Sequence, residues 1–207
     1  QLRTMIDFFR ANRMESNDWL KTLSESNIEG SPYLNDEFIT GTVFTTSNFK
    51  FTDIPLRYNI HNDQLEFKTP EDQIQAMAAP EIIDRVEFGS FKMVYMPYTN
   101  VKKIRRGFFK VIEEGNASLY AKPDVNFKQA EEPGAYKEAE PAKFIKKPDL
   151  FYIRIGKEEA KKVGNKKDVV KNFPDHHNEI VTFIKKNKIK TNKQESLSEL
   201  VRYYNSL

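Results

Sequence analysis

From Thr42 to Ile155 the chain carries run after run of alternating apolar and polar residues, with no helix-period segment of roughly a dozen residues between them. Alternation sends every second side chain to one face, as in a strand with one buried side. Parallel strands need a long crossover, usually a helix, so the expected sheet is antiparallel and a βαβ nucleotide-binding fold is not expected.

The clearest run is Ile54 to Lys68. Ile54, Leu56, Tyr58 and Ile60 alternate with Arg57 and Asn59, Asn62-Asp63 supplies a turn, and Leu65 and Phe67 resume the pattern, which predicts a hairpin. Thr42 to Thr46, with Phe49 and Phe51 across Ser47-Asn48, predicts another. Ile82–Phe88 and Phe91–Tyr98 flank Gly89-Ser90, and Ile104–Ile112 and Ala117–Ala121 flank Glu114-Gly115-Asn116. Phe151 to Ile155 adds a strand, for about eight to ten in all. Asp124 to Pro141, rich in Pro, Glu, Ala and Gly, reads as a loop.

Both ends of the chain read as helix. Leu2, Met5, Ile6 and Phe9 have helical spacing, and Asn17 or Asp18 is suited to cap a second short helix with Trp19, Leu20 and Leu23. After Gly156, Asn165 with Asp168 resembles a capping box ahead of Val169, Val170 and Phe173. Asp175 is the expected cap of a helix bearing Ile180, Val181, Phe183 and Ile184 and ending near Asn187, and Asn192 with Glu195 the cap of a last helix bearing Leu197, Leu200, Val201 and Tyr204. The fold class expected is α+β: an antiparallel β-meander sheet or half-barrel followed by C-terminal helices. Residues 1–30 form a helical leader or linker, 31–156 the antiparallel β-rich body and 157–207 a helical segment packed on the sheet, in one domain overall.

Composition narrows the function classes. Of 207 residues 39% are apolar, with 16 Phe and 9 Tyr, too many for a disordered chain, and no stretch nears the roughly 18 consecutive apolar residues of a transmembrane helix. Zero cysteines exclude disulfides, thiol catalysis and thiolate zinc sites. The net charge of +3 hides an uneven layout: Lys+Arg against Asp+Glu is 15 to 17 over residues 1–123, 2 to 5 over 124–142 and 16 to 8 over 143–207. A basic end of this kind suits nucleic acid or an anionic surface. Its cations are mostly Lys in KK pairs, Arg occurs there only at Arg154 and Arg202, and no nucleic-acid motif accompanies them, so a solvated helical face is the stronger reading.

Chemistry-bearing motifs are absent. There is no G-x-S-x-G elbow, no S-x-x-K and no phosphate loop. His61 falls in a turn, and the adjacent His176 and His177 point about 100° apart on a helix, so they do not chelate one metal as an i, i+4 pair would. Asp36-Glu37, Glu71-Asp72 and Glu113-Glu114 read as surface turns, since a glycosidase pair would have to face each other from separate strands. No catalytic residue, metal ligand or cofactor is assigned. The aromatics of the strand region are the most suggestive feature, with a bulky core as the competing explanation. On an aromatic sheet face the binding candidates are Arg57, as an anion anchor, with Tyr58; Arg105-Arg106 beside Phe108-Phe109 offers a second cluster, with Tyr95 and Tyr98 as further candidates.

SPYLNDEF (Ser31–Phe38), GTVF (Gly41–Phe44), PLRYNIHNDQLEF (Pro55–Phe67) and the ending KKDVVKNFPDHHNEIVTFIKKNKIK (Lys166–Lys190) resemble a family of exported, β-rich proteins of Gram-negative bacteria with no assigned activity. The resemblance covers most of residues 31–207. It implies export, and a start at Gln1 rather than Met agrees with a removed signal peptide. The expected location is periplasmic or secreted. The leading expectation is a non-enzymatic binding or envelope-associated structural protein, with an envelope component or an apolar or anionic ligand as partner. The alternative is an envelope or glycan hydrolase with carboxylates from separate strands, and the third is anionic-surface or nucleic-acid binding by the basic C-terminal third.

Overall fold

The computed structural model describes residues 1–10, 15–16, 28–77, 79–101, 103–133 and 139–207. The fold is α+β, a mainly antiparallel sheet followed by C-terminal helices. None of the described helices is long and apolar enough to cross a membrane. The chain divides into two compact units, residues 1–91 with 123–148, and residues 92–122 with 149–207.

In the first unit, helix α1 (Leu2–Arg10) is followed by β1 (Glu15–Ser16), β2 (Ile39–Thr45), β3 (Lys50–Asn59), β4 (Gln64–Lys68), β5 (Ile74–Ala76) and β6 (Ile83–Phe88). Their order is β1-β5-β4-β3-β2-β6. The two hairpins expected around residues 42–51 and 54–67 share one strand: β3 pairs β2 through Val43↔Phe51 and Ile39↔Leu56, and β4 through Tyr58↔Leu65 and Arg57↔Glu66. As an inner strand β3 buries Leu56, Arg57, Tyr58 and Asn59 in succession, so its polar residues have to find partners inside. Met5 and Ile6 of α1 are buried, and the Phe8 ring lies 5.4 Å from Phe49 and 5.5 Å from Phe51. The expected second helix at Asn17 to Leu23 lies outside the described residues. Gly30 has φ +73°, and a Cβ there would sit 2.3 Å from the Phe144 carbonyl oxygen, so the position admits only glycine.

The second unit contains β7 (Phe91–Asn100) from Lys92 on, β8 (Lys103–Glu113), parts of β9 (Ala117–Lys128) and β10 (Lys143–Ile155), and β11 (Lys161–Lys162), in the order β7-β8-β9-β10-β11. Helices α2 (Lys166–Lys171), α3 (His177–Lys186) and α4 (Gln194–Tyr204) follow. Strands β9 and β10 correct the sequence reading. Asp124 to Lys128 continues a strand where a loop was expected, and β10 starts at Lys143 rather than Phe151. Their outer ends belong to the first unit, where Phe127 and Phe144 lie 4.9 Å apart with His61 against both rings. Lys146-Lys147-Pro148-Asp149 breaks the alternation on which a sequence reading depends, while backbone pairing carries the strand through.

Apolar residues from strands and helices pack together in this unit. Leu119 and Ile153 of the strands meet Val169 and Phe173, Ile180 and Ile184 of α3, and Leu197, Leu200 and Val201 of α4, all buried. The Asn165 side chain caps α2 by accepting from the N–H groups of Lys167 and Asp168. The other two expected caps are corrected. The α3 cap position falls to His176, because the Asp175 carboxylate accepts instead from the Tyr204 hydroxyl at 2.7 Å, and α4 is entered from Lys193 with no side-chain cap. Just past α4, the Asn205 amide bonds both the N–H and the C=O of Ala117, each at 2.8 Å, and clamps the helix end to β9.

Candidate functional site

Arg57 and Tyr58, the expected anion anchor and its neighbour, lie in the interior of the first unit. The Arg57 guanidinium is stacked 3.6 Å from the Tyr33 ring centroid and 4.3 Å from that of Phe38. It donates to the Asp36 carbonyl at 3.1 Å and to Glu66 Oε2 at 3.0 Å, and Asn59 Nδ2 donates to the other Glu66 oxygen at 3.0 Å. Glu66 is fully buried, so this pair holds its charge in the interior. Burial pushes the Tyr33 hydroxyl pKa up to about 12, the Glu66 carboxylate adding to the rise and Arg57 opposing it. Tyr58 is buried too and donates to Asp63 at 2.6 Å, closing the β3–β4 turn. These contacts hold segment 33–38 over the hairpin and leave the guanidinium nearly covered.

Tyr95, Tyr98, Arg105 and Arg106 all belong to the β7–β8 hairpin, whose register pairs Tyr98 with Arg105, Pro97 with Arg106 and Tyr95 with Phe108. Neighbours in a strand face opposite ways, so the two arginines are on opposite faces rather than in one cluster. Arg105 shares a face with Tyr98, which is buried among Phe109 and Tyr152 at 5.1 and 5.6 Å with the Lys122 ammonium above. Arg106 shares the other with Tyr95, 5.6 Å from its ring, and Tyr95 packs 5.0 Å from Phe108. The six expected residues thus occupy the β3–β4 interior and the two faces of β7–β8.

The outer end of that hairpin is unusual. Lys103, Ile104, Arg105 and Arg106 are exposed in succession, so the outer end of β8 is open to solvent on both faces, while across from it Tyr98 is buried and the Thr99 N–H donates to the Ala160 carbonyl at 2.9 Å. Asn100 pairs with Lys103, and Val101 sits in the turn that follows β7. Val101 is 88% exposed and Ile104 64%. Val101 also has φ +44°, a region β-branched residues strongly avoid and where a two-residue turn ordinarily places Asn, Asp or Gly. Among the described residues no acidic side chain comes within 4 Å of Lys103, Arg105 or Arg106. No family model, curated protein or solved structure matches the chain. The reading of the site therefore rests on its geometry.

Elsewhere the charged candidates are engaged in surface pairs. Glu113 meets Arg202 at 3.1 Å, Glu114 meets Lys92 at 2.7 Å, and Asp72 meets Lys68 at 2.9 Å. His177 Nε2 lies 2.8 Å from the Phe173 carbonyl, His176 faces Glu179 at 3.8 Å, and no group of three potential metal ligands gathers among the described residues. The sequence reading missed Val101 and Ile104. It treated Ile104 as the first residue of a half-buried strand, although a run of four cations interrupted only by Ile104 stood there in the sequence.

Proposed function

We propose that this chain is an exported, non-enzymatic, envelope-associated binding protein that docks on an anionic phospholipid surface through the tip of the β7–β8 hairpin. The observation that carries this reading is the coincidence, at the exposed end of one hairpin, of two exposed aliphatic side chains with Lys103, Arg105 and Arg106, none of which has an acidic partner among the described residues. A bilayer interface satisfies both halves, an apolar phase for Val101 and Ile104 and lipid phosphates for the cations. A nucleic acid or a glycan would meet the charge or stack on rings, but the tip presents no aromatic side chain and such a partner offers no apolar phase. Export is taken from the resemblance carried by the SPYLNDEF-type block, and a periplasmic chain meets phospholipid leaflets. No observation favours the hydrolase reading.

Flotation with phosphatidylcholine vesicles, with and without phosphatidylglycerol, tests the proposal. Binding should require the anionic lipid and weaken as salt rises, and Arg105→Gln with Arg106→Gln should each cost about fivefold in affinity. No binding to phosphatidylglycerol vesicles at low salt would reject it.

A further inference from the structure

A second surface feature lies away from this hairpin, between α2 and α3. Val170 of α2 and Val181 and Ile184 of α3, together with the alkyl stems of Lys166, Lys167, Lys171 and Lys185, line a wholly apolar groove of about 520 Å³. The volume is in the small-molecule range of about 300–1,000 Å³. The spacing builds it: Lys166 stands four residues before Val170, Lys167 four before Lys171, and Val181 four before Lys185, so each helix turns the same stripe of aliphatic and cationic side chains to the gap. Only Lys171 has an acidic neighbour, Asp168 at 3.9 Å; Lys166, Lys167 and Lys185 have none within 4 Å among the described residues. The groove leaves aliphatic surface wetted, and the lysine ammonium groups lie beyond its apolar lining, so a molecule with an alkyl tail in the groove and an anionic head at its mouth matches both.

We infer that the α2–α3 groove binds a single-chain amphipathic carboxylate, its alkyl chain along Val170, Val181 and Ile184 and its head among the lysines. A protein helix is a poorer fit, because helix-in-groove docking needs anchors at i, i+3 or i+4, and i+7, and this floor has three aliphatic side chains between helices of six and ten residues. The site is independent of the hairpin tip, and soluble ligands separate the two.

The test is methyl NMR of the full chain titrated with dodecanoate below its micelle concentration. Saturable shifts at the methyls of Val170, Val181 and Ile184 are expected. Affinity should fall by up to about fourfold for each methylene removed in the shorter-chain carboxylates. Dodecanol should bind more weakly, and dodecyltrimethylammonium should leave the groove methyls unmoved. The exposed-residue variants Lys167→Gln and Lys171→Gln should each weaken dodecanoate severalfold with the fold unchanged by circular dichroism. The inference is overturned by shifts mapping elsewhere, by no saturation, by binding of the cationic analogue as tight as dodecanoate's, or by an acidic amphipathic peptide saturating these methyls where dodecanoate does not.

Discussion

Two hairpins place arginine next to aromatic residues in alternating strands, and the molecule treats the arginines in opposite ways. In β3–β4, Arg57 lies between two rings, bonded to a buried carboxylate and a backbone carbonyl. At the tip of β7–β8, Arg105 and Arg106 extend into solvent on opposite faces beside exposed Val101 and Ile104. The difference is strand position. An inner strand covered on both faces has to find partners for its polar side chains within the fold, whereas the outer end of β8 is open on both faces and its cations meet solvent. An arginine in a strand therefore says little about function until its partners are known.

The largest effect is expected where the first arginine is broken. Glu66→Ala leaves the Arg57 charge buried without its carboxylate and should destabilise the fold by about 3–5 kcal/mol in urea unfolding, whereas Arg57→Met with Glu66→Leu should lose far less. If Glu66→Ala proved neutral, Arg57 would not be the structural half of the contrast. Next comes Asn205→Ala, which removes both bonds to Ala117 and should cost about 2 kcal/mol in the same assay. That loss would show that the second unit is tightly tied at its last helix, and that openness is a property of the tip alone.

The tip responds in the other direction. Val101→Asn relieves a β-branched side chain at φ +44° and should stabilise the protein by about 0.5–1 kcal/mol while weakening vesicle binding, a trade no core position would show. Destabilisation by this variant would mean that Val101 packs on the protein after all.

The remaining effect concerns pH. The Tyr33 hydroxyl is raised from 10.0 to about 12 by burial, with Glu66 adding, and Tyr204 likewise to about 12 by burial and its bond to Asp175. Above pH 10 the unfolded chain gives up these protons more readily than the folded one. Their contribution is therefore complete below about pH 10 and is lost as pH rises through about 12. Urea midpoints between pH 9 and 12 should fall over that window, and Tyr33→Phe should flatten the fall.

Much of the sheet was legible because Ile54 to Phe67 and Phe91 to Tyr98 alternate cleanly and glycine or asparagine marks their turns. The start of β10 was not, since Lys146 to Asp149 carries no alternation and only pairing across the sheet holds it extended. The role of Arg57 was hidden for a related reason: its partner Glu66 is read as polar in the next strand, and register alone brings the two together. The lysine groove was hidden because KK pairs on a short helix look the same whether water or a neighbouring aliphatic stripe lies beside them.

The contrast between the hairpins is tested most directly by amide NMR of the protein with phosphatidylglycerol bicelles carrying a nitroxide-labelled lipid. Paramagnetic broadening is predicted to be strongest from Thr99 to Arg106, with a maximum at Val101 and Ile104, and to leave the amides of Arg57 to Glu66 sharp. Broadening centred anywhere else, or none at all, would contradict the account.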